Sequence, residues 1–121
     1  MWPFTKPAQS GPRFRRIDPD FAIAGQISVE DLPSIAEAGF RTIVCARPDH
    51  EEPGQPSFAA IAVAAKQSGL EAVHIPVAGG IGEGQIIRME QALKTLPRPM
   101  FGYCRSGARA GSLFGVAKSL A

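Results

Sequence analysis

Cys104 and Arg109 are the residues whose types and spacing best support covalent chemistry in this sequence. They bound the run Cys104-Arg105-Ser106-Gly107-Ala108-Arg109. A cysteine attacks as its thiolate, so a reactive one needs neighbours that favour negative charge on sulfur. The small residues Ser106, Gly107 and Ala108 let the backbone curl with its N–H groups turned inward, which makes a nest for an anion. A helix starting near Arg109 adds the positive end of its dipole. Arg109 itself can fold back and grip an oxyanion through two parallel hydrogen bonds. Arg105 brings a second positive charge, and Ala110 continues the anion-binding positions past the arginine.

A second run, Arg47-Pro48-Asp49, supplies supporting groups. Arg47 can add positive charge at the rim of the site, and Asp49 can orient Arg47 or Arg109 through a charge-assisted pair. Cys45 stands two residues before Arg47 and is the candidate redox partner of Cys104 if the two strands are neighbours. The competing expectation is that the alternation of a strand sends Cys45 into the core. Glu83, in a glycine-rich stretch, is a further carboxyl group within reach of the site. His50 and His74 have no additional ligands at metal-binding spacing, so neither a metal nor a cofactor is expected.

The elements that must position these residues alternate. Phe21 to Gly25 reads as a strand, and Ser28 with Asp31 as a capping-box-like start to a helix carrying Leu32, Ile35 and Ala36. Arg41 to Ala46 is a β-branched strand, and Arg47 to Pro56 a proline-rich loop. Ser57 caps an alanine-rich helix ending at Gln67. Glu71 to Val77 is the next strand, followed by a glycine-rich loop over Ala78 to Gly84. Gln85 to Leu96 has a helical stripe, Met100 to Tyr103 is a last strand, and Arg109 to Ala121 a last helix. Strands alternating with helices imply a mostly parallel α/β sheet of four to five strands covered on both faces. Ligands of such sheets sit at the carboxyl ends of the strands, and each loop singled out above follows a strand.

The chain of 121 residues fits a single domain. Residues 1–16 read as a flexible leader and residues 17–121 as the domain, with few residues after the last strand. A truncated C-terminus and a partner covering that end are both open. With 45% hydrophobic and 20% charged residues the composition is that of a soluble globular protein. A net charge of +2 does not imply a nucleic-acid partner, and no stretch is apolar for long enough to span a membrane. Two cysteines make no disulfide scaffold, so a reducing, cytoplasmic setting is the default expectation.

The loop from Cys104 to Arg109 resembles the signatures of the cysteine-phosphatase and rhodanese superfamilies. The stretches FAIAGQIS, AGFRTIV, RPDHEEPGQPSF, HIPV and YCRSGAR are similar to a family of bacterial phosphatase-like domains that also stand N-terminal in beta-lactamase-hydrolase-like proteins. The resemblance covers Phe21 to Leu120 and implies a tyrosine-phosphatase-like fold. It also implies two chemistries. Cysteine phosphatases place five residues between cysteine and arginine, whereas this loop places four, as rhodanese-type sulfur transferases do. In phosphatases of this fold an aspartic acid that protonates the leaving group follows the strand matching Glu71 to Val77. Ala78, Gly79 and Gly80 stand there in this chain. The sequence therefore favours a sulfur transferase carrying a persulfide on Cys104, fed by a small anionic sulfur donor. A phosphoester hydrolase with a Cys104-phosphate intermediate comes second, and a non-catalytic anion-binding or redox-sensing module third. A persulfide dioxygenase-type enzyme is the partner this resemblance implies.

Overall fold

The computed structural model describes residues 11–120. Five strands form one sheet: β1 (Arg15–Asp18), β2 (Phe21–Ala24), β3 (Thr42–Cys45), β4 (Glu71–His74) and β5 (Met100–Tyr103). Their order across the sheet is β1-β2-β5-β3-β4. The β2–β5, β5–β3 and β3–β4 pairs are parallel, while β1 is antiparallel to β2 at one edge. Three helices connect successive strands, α1 (Leu32–Glu37), α2 (Phe58–Gln67) and α3 (Glu83–Thr95), and α4 (Ala108–Ser119) follows β5.

The period of two along each strand divides the core into two layers. Met100 and Cys104 join Phe21, Val44, Met89, Leu113 and Phe114 under α3 and α4. Phe101 and Tyr103 join Ala22, Ile35, Phe40, Cys45 and Ile61 under α1 and α2. Gly102 has no side chain because the ring of Phe21 fills that space. A Cβ there would lie 2.6 Å from Phe21 Cζ. That ring in turn stacks on Phe114 of α4, with centroids 4.3 Å apart.

The local signals act as read. Asp31 accepts a hydrogen bond from the Ser28 amide at 2.9 Å, and a short 3-10 turn, Val29–Asp31, leads into α1. Ser57 Oγ accepts from the Ala60 amide at 3.1 Å and starts α2.

Three boundaries move. The leader expected over residues 1–16 ends earlier, because Arg15 and Arg16 pair with Ile23 and Ala22 in β1, and Phe14 packs edge-on against Phe40 and Phe101. Residues 1–10 lie outside the described residues. Strand β4 stops at His74, ahead of Pro76, which has no N–H to give. Helix α3 begins two residues early, so Glu83 belongs to its first turn and not to the preceding loop.

Candidate active site

The carboxyl ends of β2, β3, β4 and β5 face one edge, where the Cys104 loop leaves β5. Cys104 is fully buried, and its amide donates to the Ala24 carbonyl at 3.3 Å. The chain then turns back so that the Gly107 amide donates to Cys104 Sγ at 3.0 Å. Gly107 makes the turn with φ 97° and ψ −17°, in the left-handed region. The amides of Arg105 and Ser106 meet no backbone acceptor among the described residues. Ser106 Oγ accepts from the Ala108 amide at 3.3 Å, bracing the start of α4.

The neighbouring segment holds the loop from outside. The Gln26 amide donates to the Arg105 carbonyl at 3.4 Å. A Cβ on Gly25 would fall 2.9 Å from that same oxygen, so glycine is required for the approach.

Arg109 points back over the loop, as its place at the start of α4 predicts. Its two terminal nitrogens donate to the two carboxylate oxygens of Glu51 at 2.7 and 2.8 Å, and one also donates to the Val77 carbonyl at 2.8 Å. The hydrogen bonds that Arg109 donates to Glu51 raise its pKa, and the Cys104 sulfur beside it adds to the effect. Glu51 is in turn held by Arg109 and then by Arg47, which lower its pKa to about 2.

Arg47 is 1% exposed, yet each side of its guanidinium is matched. Nε donates to Glu51 at 2.8 Å, one terminal nitrogen to Gln26 Oε1 at 2.8 Å, and the other to Glu52 at 3.0 Å. Burial lowers its pKa, but the hydrogen bonds it donates to Glu51 and Glu52 outweigh that and the net shift is upward. Arg47 is expected from the sequence at the rim of the site; it lines the cavity there and is also a buried brace that ties β3, the 47–56 loop and Gln26 together.

Arg47, Glu51, Glu52, Arg105 and Arg109 line an open cavity of about 290 Å³ above the loop. A second cavity of about 230 Å³ lies on the other side of Arg109, between the Val77 to Ile81 segment and the start of α4.

Four expected roles change. Asp49 orients neither arginine. Its Oδ1 accepts from the Phe58 amide at 2.8 Å and helps start α2, because the loop turns through a positive φ at His50 and presents Glu51 instead. Cys45 is opposite Tyr103 in the β3–β5 register. It therefore shares Tyr103's face, and the sheet stands between it and Cys104. Burial raises the Cys45 pKa, and its Sγ donates to the Arg47 carbonyl at 3.3 Å. Ala110 is buried in the core layer under α3 and α4 and lines neither cavity. Glu83 is exposed on α3 and lines neither cavity. The residues missed were Glu51, Glu52 and Gln26. The two acids stand four and five residues after Arg47, the signal for an arginine clasped by its own loop.

Among the described residues no group of three or more His, Cys, Asp or Glu side chains is placed to hold a metal ion, and no helix is long and apolar enough to cross a membrane.

Comparison with known proteins agrees with this geometry. A beta-lactamase hydrolase-like protein of Agrobacterium fabrum is 39% identical over 106 residues, which are 87% of this chain but 25% of that protein. The chain thus spans about a quarter of the relative it matches. A crystal structure of a phosphatase candidate from Neisseria meningitidis superposes with a TM-score of 0.77 at 33% identity, covering 87% of this chain and 75% of that one. The core catalytic domain of a PP-IP phosphatase from S. cerevisiae shares the fold at 18% identity, with a TM-score of 0.64, over 92% of this chain and 68% of that one. The fold is tyrosine-phosphatase-like, and the relatives favour the phosphatase side of the two chemistries read from the sequence. The family model described as the phosphatase-like domain of beta-lactamase hydrolase-like protein matches residues 13–121, and the chain belongs to that family.

Proposed function

We propose that this domain hydrolyses phosphoesters through a covalent intermediate on Cys104. The observation that carries the reading is the Cys104 sulfur, which takes the Gly107 N–H at 3.0 Å at the base of a loop closed by Arg109. In the first step the sulfur attacks phosphorus, and the bond to the leaving oxygen breaks. The loop amides and the Arg109 fork stabilise the phosphoryl oxygens. In the second step water attacks the phosphocysteine, inorganic phosphate leaves and the thiolate is restored. Glu51 must release Arg109 as the substrate enters, while Arg47 keeps hold of it.

One observation favours a second reading, sulfur transfer. The loop has four residues between Cys104 and Arg109, and no acid follows Val77 before Glu83. A persulfide on Cys104 needs neither a wider nest nor a proton donor, and an outside thiol or a persulfide dioxygenase-type enzyme would take the sulfur.

Rapid acid quench after mixing with 4-nitrophenyl phosphate, followed by mass spectrometry, separates the two. Phosphate on Cys104, lost in Cys104→Ser, is the expected result. One added sulfur atom after thiosulfate or glutathione persulfide, with no phosphate release from the ester, would transfer the assignment to sulfur chemistry.

A further inference from the structure

The two cavities beside Arg109 hold few groups able to give a proton. Glu51 and Glu52 are the carboxyl groups in the first. Glu51 is shared by Arg109 and Arg47, which hold it ionised far below neutral pH, and Glu52 is bound to the buried Arg47. The second cavity is walled by Val77, Gly79, Gly80, Ile81 and Ser112 with Ala108 and Arg109, none of them a carboxylic acid. Asp49 is committed to the start of α2. His74 stacks on Phe58 and contacts the Arg47 carbonyl on the far side of the sheet. His50 and Glu83 are exposed and line neither cavity.

We infer that this site acts on phosphoryl donors whose leaving group departs as a stable anion, namely acidic phenols, carboxylates and phosphates, and discriminates against alkyl phosphate esters. The inference rests on the hydrolase reading above and names its substrate class. The S–P bond forms as the P–O bond breaks, and the electron pair leaves on that oxygen without taking a proton from the protein. A general acid ordinarily supplies roughly 10²–10⁴ in rate, almost all of it to poor leaving groups. Without one, the rate must follow the basicity of the leaving oxygen. Arg105, exposed at the cavity wall, adds a positive charge that suits a leaving group that stays anionic.

The test is a series run on the full chain: 4-nitrophenyl, 4-methylumbelliferyl and phenyl phosphate, phosphoserine, acetyl phosphate and pyrophosphate. We expect kcat/KM to fall about 100-fold or more from 4-nitrophenyl to phenyl phosphate, no turnover of phosphoserine, and turnover of acetyl phosphate or pyrophosphate. A profile flat within about threefold, beside a trapped phosphocysteine, overturns this inference and leaves the hydrolase reading standing. No turnover and no phosphocysteine with any donor overturns both. A second arm restores the acid. Gly79 has open space around a Cβ and needs no left-handed backbone, so Gly79→Asp sets a carboxyl group on the wall of the second cavity. A bound phosphoryl group, by occupying Arg109, leaves that carboxyl free to carry a proton, whereas Glu51 stays held by Arg47. The variant should raise phenyl phosphate turnover more than 4-nitrophenyl phosphate turnover. An unchanged ratio in a folded variant that still turns over 4-nitrophenyl phosphate counts against the inference.

Discussion

The Glu51 carboxylate spans both terminal nitrogens of Arg109, at 2.7 and 2.8 Å. It thereby occupies the fork that a substrate oxyanion would use, and any such ligand must displace it. Replacing Glu51 by Gln removes the competing charge and keeps the shape. Inhibition by inorganic phosphate or sulfate should tighten about tenfold, because the binding-competent fork is then populated more of the time. Isothermal titration with phosphate measures it, and unchanged or weaker binding would show that Glu51 positions Arg109 without competing.

The same contact gives an acid limb to stability. The folded pKa of Glu51 lies at about 2, below its ordinary 4.5, with Arg109 the largest cause and Arg47 next. A depressed carboxylate pKa means the unfolded chain binds the proton first. The stabilisation is therefore complete above about pH 4.5 and disappears as pH falls toward about 2. Denaturant midpoints measured from pH 6 down to pH 2.5 should fall less steeply in Glu51→Gln than in the native chain.

Arg109→Lys keeps the charge and loses the fork. Turnover of 4-nitrophenyl phosphate should drop by roughly 10²–10³, the loss usual for an oxyanion donor removed from a preorganised site. Circular dichroism should be unchanged, since Arg109 is a quarter exposed at the surface.

Arg47 behaves in the opposite way. It is fully buried and binds Glu51, Glu52 and Gln26. Arg47→Met should cost about 3 kcal/mol of stability, because the loop acids lose the cation around which they fold. Urea unfolding is the readout, and a loss below about 0.5 kcal/mol would mean that the brace carries no load.

Gly107→Ala should cost about 1–2 kcal/mol through its left-handed φ of 97°. It would also crowd the Ala24 carbonyl, 3.3 Å from the new Cβ. Activity should fall further than stability, since the same residue aims its N–H at Cys104.

Much of this site is legible in the sequence because local chemistry sets it. Small residues between a strand and a helix let the chain turn until the Gly107 amide reaches Cys104, and Arg109 stands at the start of the helix that follows. The order of strands and helices follows from their periods. What was illegible depends on register. Cys45 ends β3 and Cys104 directly follows the adjacent β5, and only the pairing of Cys45 with Tyr103 assigns them to opposite faces. Asp49 and Glu51 are two residues apart in one loop, and the turn at His50 decides which of them meets Arg109. Strand β1, the segment Arg15-Arg16-Ile17-Asp18, has three charged residues in four and shows no alternation. It pairs at the sheet edge through its backbone, a property no side-chain pattern records.

The contact between Gly25 and the Arg105 carbonyl makes the length of the loop from Cys104 to Arg109 a property of two distant stretches of chain. Adding a fifth residue between Cys104 and Arg109 would push that carbonyl into the path by which the chain leaves β2. The insertion could be accommodated only by rerouting residues 24–26 at the same time. The compact loop is thus locked in by its neighbour. A descendant of this domain that acquired a longer one should carry a matching change at that exit, and the two stretches should vary together.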